Sequence, residues 1–500
     1  MLGKVHDVAV IGGGLNGVAV ARDAAGRGLS VFLCEEGDLG GGAGSATGRL
    51  VHGGLEHMEG LRFAAMREAV TEREVLLRAA PHLVRPLTFL IPHHERQWSP
   101  AALRLGLFAY DHVARSSLPP ARMVDLEAEG IRTSLQPHFA VAFAYSDCVA
   151  DDTRFVIHNA LDARARGAEI HTRLRCTIAE RDGGSWRLSL ESTASGERSV
   201  VQARILVNAA GAMAGEVLNH VVHGTEHVRP RLRKSSWLLV RREVPGDLAY
   251  ALPTADGHIV YAVPDEPGTM LLGPAVSPYA GDPGSARVER GEAAWLADVA
   301  GQYFQEPVHA ADIVRAVAGL RALPVEPGAL KRGRVIVTDA PPRVAPLLSV
   351  FGGSLTVHRR LAEEVVDRMG RFRAVPPAWT GRAVLPGGGF PRDGGATIAR
   401  ALSTAYPFIS DDHAARLVRA YGTRASAVLT GARSAADLGR RFGGDLTEAE
   451  VEFLRHEEWA ETAEDILWRR SKLGLGFTPW EAEDLDEWLA GVPSLAMPVG

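Results

Sequence analysis

The sequence predicts an α/β chain closed by a helical C-terminal domain, and three observations carry that prediction. A short apolar strand near the start runs into a glycine turn and a helix. Apolar β-type runs then alternate with helical patterns to about residue 375. Beyond Pro376-Pro377 and the Pro386-Gly387-Gly388-Gly389 stretch, strand-like segments cease and helix signals take over.

Length and composition bound the rest. Five hundred residues, 46% hydrophobic and 23% charged, describe a globular chain able to bury a large core. The net charge of −5 carries none of the basic excess of a nucleic-acid binder, so no nucleic-acid partner is expected. Only four of the 55 basic residues are lysine (Lys4, Lys234, Lys331 and Lys472), an arginine excess that coding bias explains. Cys34, Cys148 and Cys176 are too few and too scattered for a disulfide framework or a metal site, so a reducing interior and no metal are expected. No leader-like or membrane-length apolar run is present, which predicts a cytoplasmic protein, either free or peripheral on the inner face of the cell membrane.

In chain order, residues 7–11 form a buried strand and Gly12-x-Gly14-x-x-Gly17 a phosphate-type turn ahead of a helix over 18–26. Gly12 permits the tight turn, Gly14 lets backbone approach a pyrophosphate, and Gly17 packs helix on strand, with the helix N-terminus facing the anion. A second strand, 29–34, ends at Glu35, 23 residues beyond Gly12, near the spacing of a carboxylate that takes ribose hydroxyls. Strand, turn, helix, strand and acid in this order define a Rossmann-like unit for an ADP-containing dinucleotide. The fingerprint alone leaves NAD and FAD open. Two further segments favour FAD: a buried strand over 205–211 ending in small residues up to Gly211, and a strand over 347–353 running into a helix at 356–369. The positive end of that helix suits an anionic reduced flavin. Towards the C-terminus, Thr447 with Glu450 and Thr478 with Glu481 read as capping boxes, the second with Pro479 at the first helical position.

Longer segments add a resemblance: GGGLNGVAVARDAAGRGLSVFLCEEGDL at 12–39, RLVHGGLEHME at 49–59, EREVLLRAAPHLVRP at 72–86, LGLFAYDH at 105–112, YSDCVADDTR at 145–154, APLLSVFGGSLTVHRRLAEE at 345–364 and ILWRRSKLG at 466–474. Through these the chain resembles FAD-dependent glycerol-3-phosphate dehydrogenases of the aerobic, membrane-associated type. The resemblance implies FAD-binding parts at about 1–75, 145–215 and 315–375, an interleaved α+β substrate domain at about 76–144 and 216–314, and an all-helical cap at 376–500. It implies oxidation of sn-glycerol 3-phosphate to dihydroxyacetone phosphate, with a quinone as electron acceptor. A homodimer is compatible with it, and residues 98–115 are the implied membrane contact. That stretch reads equally well as an amphipathic helix over the protein's own core.

Residue by residue, the resemblance assigns cofactor contact to Gly12, Gly14, Asn16, Gly17, Glu35, Ser45, Thr47, Leu50, His52, Gly53, Cys176, Gly211, Gly353, Leu355 and Thr356. It assigns the substrate phosphate to Arg321 and Arg332, and His57 takes the place of a family active-site tyrosine as candidate base. The departures gather at the substrate. Glu56 stands where the family has arginine, Trp237 where it has histidine, Gly273-Pro274-Ala275-Val276 where it has Gly-Thr-Thr-Asp, and Ser354 where it has lysine. Two unit charges about 4 Å apart interact by ~4 kcal/mol at an effective dielectric near 20. That is as much as millimolar binding in total, about 4 kcal/mol. A different small alcohol or amine as substrate, or a flavin-binding protein without turnover, therefore stand beside the leading expectation.

Overall fold

The computed structural model describes residues 4–55, 62–93, 99–131, 134–223, 230–244, 248–323 and 333–492. Two sheets and a C-terminal helical domain make up the molecule.

The first sheet has a parallel centre in the order Leu347–Gly352, Arg198–Asn208, Val5–Ile11, Val31–Cys34, Glu169–His171. Arg334–Asp339 adds antiparallel at one edge, and Leu174–Asp182 with Ser185–Ser192 extends antiparallel from Arg198–Asn208. Near-continuous apolar runs such as Val8–Ile11 and Val31–Cys34 form these strands because both faces are covered. Helices Leu15–Gly26, Asp152–Ala165 and His358–Met369 bury their apolar sides on one face, and the Trp186, Leu188 and Leu190 ribbon with residues 214–222 covers the other. The first helix begins at Leu15, earlier than the sequence pattern suggests, because the glycine turn already supplies its first turn. The strand expected over 205–211 stops at Asn208, whose Nδ2 donates to Ala214 O at 2.9 Å and bends the chain out of the sheet.

Among the described residues the second sheet has nine strands, mostly antiparallel: eight run from Ile313–Leu323 through Arg231–Arg241, Thr269–Tyr279, Ile259–Pro264, Leu248–Pro253, Val84–His93 and Val141–Ala150 to Leu50–Val51, and Arg122–Asp125 pairs with Val141–Ala150 off this path. Val141–Ala150 and Ile313–Leu323, which span positions 145 and 315, both lie wholly in this second sheet. Helix Arg290–Tyr303 covers one face, while Phe63–Ala79 and Pro100–His112 cover part of the other. Within Pro100–His112, Leu103, Leu107 and Tyr110 are buried in the protein's own core, whereas Leu105 and Phe108 are 70% and 58% exposed. Ser99 caps this helix by accepting from Ala102 N at 3.2 Å.

The C-terminal domain is built from helices Gly395–Ala405, Asp411–Tyr421, Glu448–Glu458 and Pro479–Ala490 around one core. Two sequence expectations need correcting. The domain is not wholly helical: Arg441–Gly443 and Leu446–Thr447 pair as a short ladder. Thr447 precedes a helix but its hydroxyl makes no capping bond, because its residue is drawn into that ladder, whereas the Thr478 and Glu481 box forms in full.

Candidate functional site

The first turn is shaped by backbone. Gly12 has φ +109°, and a Cβ there would lie 2.7 Å from Ala209 O. A Cβ on Gly17 would lie 1.9 Å from Gly12 O, so only glycine lets this helix seat on its strand. A Cβ on Gly14 would meet nothing within 4 Å, which makes it the open side of the turn, and no side chain caps the helix there. The amides at this helix start are therefore directed at an approaching anion. Glu35 follows at the end of its strand, its carboxylate accepting from Gly13 N at 2.7 Å and Gly37 N at 2.9 Å. Burial pushes that carboxyl up, against the pull of the Gly37 and Gly13 amides.

Two more segments converge on this turn. Asn16 Nδ2 donates to Gly352 O at 3.0 Å, tying the first turn to the loop after Leu347–Gly352, where Gly352 and Gly353 both have positive φ. On that loop, Leu355 and Thr356 are buried, and Thr356 Oγ1 accepts from His52 N at 3.2 Å. His358 closes the loop through Nδ1 on Leu355 O at 2.7 Å, and burial pushes its imidazole down to about 4. Ahead of His52, Leu50 pairs with Val149, and Thr47 Oγ1 donates to Asp152 Oδ2 at 2.7 Å while accepting from Arg49 N at 2.9 Å. Ser45 Oγ donates to Gly42 O at 3.0 Å. Gly211, at φ +58°, opens onto free space beside the small residues 209–210. The arrangement fits an extended dinucleotide: a ribose carboxylate, an open glycine helix start, hydroxyls at 45 and 47, and a helix end at 353–358 for the far ring.

Gly53 is held by a buried network centred on Asp147, with Arg73 and Tyr110. Its amide donates to Tyr110 OH at 2.9 Å and Asp147 Oδ1 at 3.0 Å, and Tyr110 OH donates to Asp147 at 2.7 Å. Arg73 Nη1 donates to the same carboxylate at 2.5 Å and to Ser146 O at 3.0 Å. All of these side chains are buried, so the carboxylate and guanidinium compensate one another where water does not reach.

On the substrate side, Arg321 stands exposed on Ile313–Leu323 and donates to Gly333 O. Two residues back on the same strand, Gly319 faces loop residue Ala46, whose oxygen would lie 2.6 Å from a Cβ there. Trp237 is buried, its ring filling the positions that a Cβ on Gly48 or Gly273 would take. Lys234, on the other face of the same strand, pairs with Glu289 at 2.8 Å and Glu292 at 3.1 Å, away from the loop. Ser354 is exposed. Of the expected site residues, His57 and Arg332, with the departure Glu56, lie outside the described residues. The Cys176 side chain is buried with Cys34 and Leu190, and burial pushes its thiol up to about 12, so the thiol is not presented at the surface.

Fold and cradle together define an oxidoreductase of the FAD-binding class, and the family model described as FAD dependent oxidoreductase matches residues 7–368. A second, described as the C-terminal domain of alpha-glycerophosphate oxidase, matches residues 378–487. The chain belongs to the FAD-dependent glycerol-3-phosphate dehydrogenase family. It is 42% identical to a glycerol-3-phosphate dehydrogenase of Pseudomonas aeruginosa, covering 98% of this chain and 96% of that protein. It is 39% identical to a D-erythritol 1-phosphate dehydrogenase of Brucella abortus, covering 96% and 97%. The solved FAD complex of glycerol-3-phosphate dehydrogenase from Bacillus halodurans shares its fold at a TM-score of 0.77 and 24% identity, covering 98% of this chain and 90% of that one. Among the described residues, no helix is long and apolar enough to cross a membrane.

Proposed function

We propose that the protein oxidises the secondary alcohol of sn-glycerol 3-phosphate to dihydroxyacetone phosphate and passes the electrons to a quinone. The observation that carries this reading is the 42% identity to a glycerol-3-phosphate dehydrogenase along nearly the whole of both chains. Bound FAD supplies the two-electron acceptor. The chain's own residues supply the rest: Arg321, with Arg332, holds the phosphate dianion, and His57 takes the hydroxyl proton. The cofactor contacts are those read from the sequence, with Cys176 contributing backbone only. The Gly53 network keeps the loop carrying His52 in one position, so that the substrate carbon meets the ring at a fixed distance.

A second reading, a longer polyol phosphate, is favoured by the 39% identity to the D-erythritol 1-phosphate enzyme. Anaerobic titration of the purified flavoprotein separates the two. Loss of flavin absorption on adding sub-millimolar sn-glycerol 3-phosphate supports the first reading. Loss only with a four-carbon polyol phosphate, or with an unphosphorylated alcohol or amine, transfers the activity to that substrate. An oxidised spectrum with every compound means a flavin-binding protein without turnover.

Peripheral attachment to the inner face of the cell membrane belongs to the same proposal, with the exposed Leu105 and Phe108 resting on lipid and Arg104 at the headgroups. Cosedimentation with anionic phospholipid vesicles, reduced by a Leu105→Ser and Phe108→Ser double variant, tests it.

A further inference from the structure

The C-terminal motif ILWRRSKLG, prominent in the sequence, has no part in the reaction just described. Its side chains nevertheless reach out of their own domain to the dinucleotide cradle. Arg470, fully buried, donates to both oxygens of Asp38 at 2.7 and 2.8 Å, and Arg469 Nε adds a third bond to that carboxylate at 2.6 Å. Asp38 belongs to the loop that follows Glu35. The next two residues press on the first turn: Gly40 N donates to Gly13 O at 3.2 Å, and the Leu39 side chain fills the place of a Cβ on Gly13. Arg173 completes the anchor, its backbone N on Gly37 O at 3.0 Å and its guanidinium on Asp465 at 2.5 Å.

The same segment grips the start of helix Asp152–Ala165. Lys472, in a left-handed conformation at φ +61°, lies 3.4 Å from Asp152 and 3.5 Å from Asp151. Asp152 is the acceptor of the Thr47 hydroxyl. Trp468, Arg469 and Lys472 also line one pocket together with Ser45, Thr47 and Arg49. A run of five residues thus fastens the loop after Glu35 and, through the helix start at Asp152, the loop carrying Thr47, and it does so with charge-assisted bonds rather than by covering area.

We propose that residues 468–472 form a clamp that retains the flavin dinucleotide, so that FAD leaves only after this segment releases the Asp38 loop and the helix start at Asp151 and Asp152 that holds Thr47. The proposal rests on FAD occupying the Gly12 to Gly17 turn. Coupling of this kind is reciprocal: the clamp tightens FAD binding, and bound FAD tightens docking of the C-terminal domain by the same factor.

The test uses the holoenzyme and two independent variants, Lys472→Met at the Asp152 helix start and Asp38→Asn with Arg470→Gln at the Asp38 loop, the paired change leaving no buried charge unopposed. FAD release after dilution is followed by the fluorescence of free flavin. Each variant is expected to release FAD at least tenfold faster than the unaltered protein. Limited proteolysis of the 376–395 connection is expected to slow on FAD addition in the unaltered protein and not in the variants, a difference that mere destabilisation of the helical domain does not produce. Release at the unaltered rate in both variants overturns the clamp while leaving FAD binding intact. Failure of the unaltered protein to bind FAD overturns both.

Discussion

The two ends of the site are held by different means. At the nucleotide end, position is fixed by backbone: Gly12 and Gly17 admit no side chain, Gly14 opens outward, and Glu35 is pinned by two amides. At the substrate end, position is fixed by side chains that meet from distant segments, such as Arg73, Tyr110 and Asp147 around Gly53, or Trp237 over Gly48. Backbone constraint is unforgiving but tolerant of what surrounds it. Side-chain constraint instead depends on groups that meet only once the chain has folded.

The largest effect belongs to the nucleotide end. Gly17→Ala puts a methyl 1.9 Å from Gly12 O, which the first helix relieves only by lifting off its strand. Overpacking costs typically ~1–3 kcal/mol even where neighbours yield, and here the neighbour is backbone. The purified variant is expected to lack flavin absorption altogether; a normal flavin content would break the claim that backbone sets this end. Next comes Asp147→Asn, which leaves the buried Arg73 guanidinium facing a neutral amide. Removing one partner of a buried pair costs about 3–5 kcal/mol. Urea unfolding is expected to register most of that loss, and visible circular dichroism a change at the flavin, because Gly53 loses part of its anchor. A change in stability with an unaltered flavin signal would confine the network to folding.

This contrast also explains what the sequence discloses. The turn at 12–17 and the carboxylate at 35 are readable because glycine and spacing are themselves the constraint. The Gly53 network is not, since Asp147 lies 37 residues from Tyr110 and 74 from Arg73, and nothing local announces the pairing. The C-terminal ladder escapes notice because three residues opposite two carry no period. Thr447 misleads for the opposite reason: a capping pattern is present, yet the ladder claims the residue first. The arginine excess has a structural counterpart as well. The buried pairs of Arg154 with Glu458, Arg416 with Glu450 and Arg470 with Asp38 are two-pronged, a geometry that lysine does not supply.

A third prediction concerns the loop shared by both ends. Burial holds the His358 imidazole at about 4, below its usual 6.5. A histidine lowered in the folded state contributes its full stability above pH 6.5 and loses it as pH falls from there towards 4. Between pH 7 and pH 5 this amounts to about 2 kcal/mol. Replacing His358 by Asn is expected to flatten the pH dependence of the urea midpoint by that amount, and an unchanged slope would assign the loss to other buried groups.

The smallest effect on the fold sharpens the comparison most. Arg321 is exposed and donates to the Gly333 carbonyl, so Arg321→Gln is expected to disturb the fold least of these changes. Flavin content and urea midpoint are expected to stay within error of the unaltered protein. A hydrogen bond to a charged group is worth about 1.5–3 kcal/mol. The specificity constant kcat/KM for a phosphorylated polyol is therefore expected to fall about tenfold to a hundredfold, with the rise mainly in KM. An equal fall for the unphosphorylated polyol would show that Arg321 acts on something other than the phosphate. Loss of flavin instead would mean that the two ends are not held separately, and that a side chain on the second sheet reaches into the backbone-built half.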